Sequence, residues 1–115
     1  MNLMLQEHVV KVHVITLGER LDAFSAPVLR QQIEELLYEG ANRFVIDLSS
    51  VPFFDSAAMA VFVNALKKAR QAGGDVKLVW PREEAARRII HLTKFDRVFD
   101  LADSAEEASL AFGVA

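Results

Sequence analysis

The 115-residue chain has no cysteine, only three prolines and only five glycines. The missing thiols exclude disulfides, thiolate zinc sites, iron–sulfur clusters and a cysteine nucleophile, and they fit a reducing cytoplasm. The few prolines and glycines mostly fall between periodic segments, so that no linker or low-complexity tract divides the chain. We therefore expect residues 1–115 to form a single domain.

A strong charge of one sign and long apolar runs are also lacking. Thirteen basic and sixteen acidic residues give a net charge of −3. This balance argues against direct nucleic-acid binding, because nucleic-acid modules usually carry a basic excess. The longest strongly apolar stretch, residues 57–66, is far shorter than the roughly 20 residues needed to span a bilayer. We therefore expect neither a nucleic acid nor a membrane as a direct partner.

Segments typical of strands and helices alternate along the chain. Apolar and β-branched runs predict strands over 8–17, 44–48, 76–80 and 98–101, and residues 1–6 offer a short additional strand. Helical periodicity predicts a helix capped by Ser25 and ended by Gly40, and further helices over 56–71, 82–92 and 104–112. This order favours an α/β fold, with a small, mostly parallel sheet of about four or five strands flanked by about four helices.

The periodicity also predicts which side chains face the core. On the first strand, Lys11 and His13 are expected on the face that contacts water. The apolar stripes of the first two helices are expected to comprise Val28, Leu29, Ile33, Leu36 and Leu37 on one helix, and Met59, Phe62, Val63, Leu66 and Ala69 on the other.

Two loops are the places to look for function, because they follow strands at the carboxyl edge of the predicted sheet. They cover residues 18–24 and 49–55, and neither contains a glycine-rich phosphate-binding motif. In the second loop, Phe53 and Phe54 are expected to anchor the chain in the core. The simplest interpretation of Asp55 or Ser56 is a helix N-cap, but a helix N-terminus also accommodates a phosphate.

Several stretches of the sequence are similar to one known family. They read LGERLD at 17–22, APVL at 26–29, VIDLSSV at 45–51 and FDSAAM at 54–59, with Gly73 and Gly74 before the strand at 76–80. This pattern, which covers nearly the whole chain, resembles the STAS family, the domain of anti-sigma factor antagonists and of sulfate-transporter tails.

The resemblance implies a small STAS-like sheet flanked by helices, without catalysis or a cofactor of its own. In antagonists of this family, a partner anti-sigma factor serine kinase uses ATP and Mg²⁺ to phosphorylate the serine that follows the loop aspartate. The dephosphorylated antagonist binds the kinase and frees a sigma factor, and a serine phosphatase resets the cycle. Carried over by position, Ser56 is the phosphorylation site, with Asp55 and Asp22 near it.

The sequence departs from the family pattern at two places. Ala57 and Ala58 stand where a second hydroxyl residue and a glycine are common, which leaves Ser56 as the unambiguous acceptor. Arg20 is an extra residue in the first loop. We expect the partner to bind an outward stripe of the Ser56 helix that comprises Ala57, Ala60, Val61, Asn64 and Lys68.

Two alternatives remain open. The first is a STAS protein that works without phosphorylation, as a scaffold of a signalling particle or as the soluble subunit of a lipid or anion transporter. From a different class of protein, a small hydrolase would use Ser56 as its nucleophile. For that hydrolase, His91 is the only candidate histidine.

Overall fold

A computed structural model of the protein describes residues 3–4 and 10–113. Its strands are β1 (His13–Thr16), β2 (Arg43–Asp47), β3 (Asp75–Val79) and β4 (Asp100–Ala102), and its helices are α1 (Ala26–Tyr38), α2 (Ser56–Gln71), α3 (Glu84–Thr93) and α4 (Ala105–Leu110). The four strands form one parallel sheet in the order β1-β2-β3-β4. The predicted α/β fold is therefore confirmed. Within the described ranges, no helix is long and apolar enough to cross a membrane.

The sheet is buried on both faces along its central strand. Phe44, Val45 and Ile46 of β2 are completely buried, which explains why this strand reads as a continuous apolar run. Alternate residues point to opposite faces of the sheet. Phe44 and Ile46 pack into the core beneath α1, α2 and α3, whereas Val45 packs with Val79 and Ala108 beneath α4.

The first strand is shorter than predicted, and two of its residues, His13 and Val14, differ from the prediction in exposure. His13 pairs in register with Phe44, and the centroids of the two rings lie 6.0 Å apart. His13 and Ile15 are therefore partly covered, whereas 45% of Val14 is exposed. Lys11 is exposed as predicted, but the prediction was wrong for His13 and Val14, because α4 packs over β2, β3 and β4 and leaves Val14 largely uncovered. The additional strand at 1–6 and the start of the strand predicted at 8–17 fall largely outside the described residues.

The helical stripes also differ from the prediction at single positions. Val28 of α1 is 58% exposed and Val63 of α2 is 44% exposed, although both were expected to face the core. In α2, the buried face instead includes Ala58 and Ala65, which are 0% and 2% exposed. The prediction favoured large apolar side chains, whereas small residues face the core where a helix packs closely on its neighbours.

The ends of the elements agree with the prediction to within a few residues. Helix α2 begins at Ser56 and ends at Gln71, as predicted. Ser104 caps α4, because its hydroxyl accepts a hydrogen bond from the Glu107 amide at 3.0 Å. The last strand lies two residues later than expected at its start, because a 3₁₀ turn at Phe95–Arg97 precedes it.

Candidate functional site

The two loops singled out by the sequence are joined by backbone hydrogen bonds. Leu21 and Phe54 form a parallel bridge. The Leu21 amide donates to the Phe53 carbonyl at 2.9 Å, and the Asp55 amide donates to the Leu21 carbonyl at 3.0 Å. Asp22 directly follows Leu21, and Ser56 directly follows Asp55. The structure therefore brings the segment that carries Asp22 beside the segment that carries Ser56.

Asp55 caps helix α2. Its carboxylate accepts hydrogen bonds from the amides of Ala57 at 2.9 Å and Ala58 at 3.2 Å, and its backbone is extended, as an N-cap requires. Ser56 is the first residue of the helix and is exposed. Of the two N-cap candidates, the cap is thus Asp55, and the Ser56 hydroxyl is not used for capping.

Only one of the two loop phenylalanines anchors the segment. Phe54 is 1% exposed, and its ring packs edge-on against Phe62 at 5.7 Å between centroids. Phe53 is 37% exposed, and the Arg20 guanidinium lies over its ring at 5.0 Å from the centroid. The prediction that both rings are anchored was wrong for Phe53, because neighbouring residues in an extended segment point to opposite sides.

Asp22 organises the start of α1. Its Oδ1 accepts hydrogen bonds from the amides of Phe24 at 2.9 Å and Ser25 at 3.2 Å, and the Ser25 hydroxyl accepts one from the Asp22 amide at 2.9 Å. The bonds from the Phe24 and Ser25 amides hold the pKa of Asp22 below its ordinary value. Ser25 was predicted to cap α1, but its side chain accepts no bond from the helix amides. Asp22 instead caps the turn that leads into the helix.

Four of the five predicted binding residues line a groove between α1 and α2. The groove has a volume of about 530 Å³, and its walls are formed by Ala23, Ala26, Pro27, Arg30 and Glu34 from the α1 side and by Ala57, Ala60, Val61 and Asn64 from α2. Small side chains on both helices leave this space open. From the sequence, the binding stripe was expected on α2 alone. The contribution of α1 was not predicted, although the small residues at 26–27 were an available signal.

Two of the predicted binding residues are not the free outward positions that were expected. Val61 is only 6% exposed, because α1 packs against this side of α2, so the prediction that it points outward was wrong. Lys68 is about half exposed, and its Nζ lies 3.1 Å from a carboxylate oxygen of Glu34 on α1. Within the stripe, Ala60 is exposed, whereas Ala57, Asn64 and Lys68 are partly buried.

The histidine considered for a hydrolase is engaged elsewhere. The ring of His91 lies 5.2 Å from that of Trp80, and its Nδ1 lies 3.2 Å from a carboxylate oxygen of Asp96. Both partners belong to the segments around α3, and none of the contacts found for His91 in the described chain involves the Ser56 loop. Within the described ranges, no group of three or more His, Asp or Glu side chains has the arrangement of a metal site.

Comparisons with known proteins agree with this architecture. The model of the STAS domain matches residues 4–108. The anti-sigma-B factor antagonist of Bacillus subtilis is 33% identical over 89 residues, which cover 77% of each protein. An anti-sigma-F factor antagonist of Mycobacterium tuberculosis is 32% identical over 98 residues, which cover 84% of this chain and 78% of the relative.

A solved structure of an anti-sigma factor antagonist is also similar to this chain over most of its length. The anti-sigma factor antagonist of Mycobacterium paratuberculosis superposes with a TM-score of 0.78 at 31% sequence identity, and the match covers 92% of this chain and 89% of the other. The family match spans nearly all of the described sheet and helices, and these relatives are named as anti-sigma factor antagonists. The chain therefore belongs to the STAS domain family.

Proposed function

We propose that this chain is a cytoplasmic anti-sigma factor antagonist that switches partners by phosphorylation of Ser56. In its dephosphorylated form it sequesters an anti-sigma factor serine kinase and thereby releases a sigma factor. Phosphorylation by that kinase ends the binding, and a serine phosphatase restores it. The chain itself works by binding and has no catalytic role in this cycle.

One observation supports this proposal above the others. Ser56 is exposed at the first position of α2, while the residues before it are held firmly by the Asp55 cap and the buried Phe54 ring. A kinase must bring the γ-phosphate of ATP in line with the attacking hydroxyl. An accessible hydroxyl on a well-fixed backbone suits this requirement.

The chemical step places the new charge at one end of the helix. The Ser56 oxygen bonds to the γ-phosphorus of the kinase-bound ATP as the bond to the β–γ bridging oxygen breaks. ADP leaves, and the hydroxyl proton passes to a base of the kinase. The phosphate adds about −1.5 to −2 charges beside two carboxylates, Asp55 and Asp22. From the formal net charge of −3, this takes the chain to about −5.

The groove between α1 and α2 supports protein binding at the same place. It starts beside Ala57, one residue after the phosphorylation site, and continues past Ala60 to Asn64. Phe24, which is 91% exposed, lies two residues before α1 and directly follows Ala23 of the groove wall. Small side chains allow close approach and an exposed aromatic ring offers apolar contact area, so a partner seated here would lie next to Ser56, which directly precedes Ala57.

The charge of the switch predicts the behaviour of two Ser56 variants. Ser56→Asp should bind the cognate anti-sigma factor kinase at least about tenfold more weakly than wild type. The reason is that binding then buries an unpaired carboxylate where the wild-type interface accommodates an uncharged hydroxyl. Ser56→Asn has the same size without the charge and should bind within a few-fold of wild type. Isothermal titration calorimetry of both variants and wild type measures the difference.

The same titrations separate the alternatives. Equal affinity of Ser56→Asp and Ser56→Asn for the kinase would rule out the charge-based block. A chain that binds no anti-sigma factor kinase of its organism would instead be the scaffold or transporter subunit. Hydrolysis of a generic ester that is abolished in Ser56→Ala would assign the chain to the hydrolases.

A further inference from the structure

Arg20 lies at the phosphorylation loop without being fully engaged there. Its Nε is 3.6 Å from a carboxylate oxygen of Asp22, which is longer than a hydrogen bond, and its side chain is 63% exposed. The guanidinium also lies over the exposed ring of Phe53. The parallel bridge between Leu21 and Phe54 places Arg20 opposite Phe53, three residues before Ser56, and its side chain reaches from there towards Asp22.

Asp22 does not depend on Arg20 as a partner. The amides of Phe24 and Ser25 and the Ser25 hydroxyl, at 3.4 Å, all donate to its Oδ1, whereas Arg20 faces its Oδ2. Those bonds hold the pKa of Asp22 low, so that its charge stays compensated when Arg20 moves away. The guanidinium is therefore free to turn to a second, stronger anion.

A phosphate on Ser56 would find few other donors. The amides of Ala57 and Ala58 already donate to the Asp55 carboxylate, and the Met59 amide donates to the Asp55 carbonyl at 3.0 Å. The first turn of α2 therefore has most of its amide donors occupied. The nearby acidic side chains, Asp22 and Asp55, repel a phosphate, so a cation is needed to balance it.

We propose that Arg20 is the phosphate-binding residue of phosphorylated Ser56: it leaves Asp22 and donates to the phosphate while the Asp55 cap stays in place. Arginine suits this role, because its planar guanidinium can donate two parallel hydrogen bonds to phosphate oxygens. The phosphate is then held against the loop over Phe53. This inference rests on the proposed function only in that it concerns a phosphate on Ser56.

Charged residues from several loops contribute to the electrostatic environment of a phosphate on Ser56. Asp22 and Arg20 come from the loop after β1, together with Glu19, and Asp55 precedes α2. From the next loop, Arg82 is tied to this side of the molecule by the bond from its amide to the Ser49 carbonyl at 3.2 Å. Arg20 is the cation among these that contacts both Asp22 and Phe53, which is why we assign the phosphate to it rather than to Arg82.

The test uses phosphoserine inserted at position 56 of the full chain during translation, so that no kinase is needed. The second pKa of the phosphate is followed by ³¹P NMR in the otherwise wild-type chain and in Arg20→Gln. An adjacent guanidinium favours the dianion, so the phosphate pKa should lie about one unit lower in the chain that retains Arg20. Arg20→Lys should give an intermediate value.

Arg97→Gln is the matched control, because it removes the same charge from the turn before β4, at the opposite edge of the sheet. The second pKa of its phosphate should equal that of the phosphoserine-containing chain without this substitution. If Arg20→Gln also titrates as in wild type, the inference is overturned. It is equally overturned if the Ala57 and Ala58 amide signals show that the phosphate has displaced Asp55. Because phosphoserine is built in, failure of the kinase to modify Ser56 would count against the proposed function alone.

Discussion

Replacing Phe54 by alanine should lower the free energy of unfolding by about 3–5 kcal/mol, the range for removing a large buried aromatic side chain. Phe54 is 1% exposed and packs edge-on against Phe62, which is completely buried. Its backbone forms the bridge to Leu21 that joins the two functional loops. The loss would therefore leave a cavity beneath the site itself. Urea denaturation followed by the fluorescence of Trp80, the single tryptophan, measures the change.

The adjacent residue provides the control. Phe53 is 37% exposed and contacts Arg20 rather than the core, so Phe53→Ala should cost less than about 1 kcal/mol. This pair of variants tests the assignment of the two rings directly, because the residues are identical in chemistry and adjacent in sequence. Similar losses for both variants, or a larger loss for Phe53→Ala, would contradict the described packing of the loop.

The second large effect is expected at Gly74, where the chain passes from α2 into β3. A Cβ atom added to this residue would lie 1.7 Å from the carbonyl oxygen of Asn42. That oxygen is held by the Asp75 amide at 3.0 Å, and the Asn42 side chain donates to the Ala72 carbonyl at 2.9 Å. The clash is between the Cβ atom, whose position the backbone fixes, and a backbone carbonyl, so no side-chain rotation can relieve it. Gly74→Ala should therefore lose about 3 kcal/mol or more, the upper end for overpacking.

Gly18→Ala serves as the matched control for Gly74→Ala. A Cβ atom at Gly18 meets no atom within 4 Å, and the residue lies in the exposed loop after β1. Its substitution should change the free energy of unfolding by no more than about 0.5 kcal/mol. If Gly74→Ala is as stable as Gly18→Ala, the described close approach of Gly74 to the Asn42 carbonyl is contradicted.

The bounds of the helix that carries the site could be predicted from the sequence to the residue. Helix α2 combines a regular apolar period with a clear start at Asp55 and a clear stop at Gly73, whose φ of +83° is unfavourable for other residues. These signals are local, because they depend on the chain's own periodicity and on the conformations that single residues prefer. The same local reasoning placed the strand that leads into the site.

What the sequence could not predict depends on contacts between distant segments. Val61 was expected to point outward because helical spacing alone does not tell which neighbour covers a stripe, and α1 covers this one. The partial burial of His13 follows from its pairing with Phe44, 31 positions along the chain in the β1–β2 register. The contacts of Arg20 with Phe53 and Asp22 likewise follow from the pairing of two loops. Such pairings depend on the three-dimensional fold, and a single sequence does not reveal which distant segments pair.

The family resemblance supplied what local patterns could not, the proposal that Ser56 is the phosphorylation site. From the residues alone, Asp55 and Ser56 were equally good N-caps, and the structure assigns that role to Asp55. This assignment makes the phosphorylation of Ser56 physically reasonable, since its hydroxyl is not needed to hold the helix. A residue that both capped the helix and carried the phosphate would couple the switch to the stability of α2.

The most direct test of the proposal is the site of phosphate transfer. The chain is incubated with ATP, Mg²⁺ and each purified anti-sigma factor serine kinase of its organism, and the product is mapped by mass spectrometry. We expect one kinase to add a single phosphate, on Ser56, and to add none to Ser56→Ala. Phosphate on Ser49 or Ser50 instead, or no transfer from any of these kinases, would contradict the proposed switch.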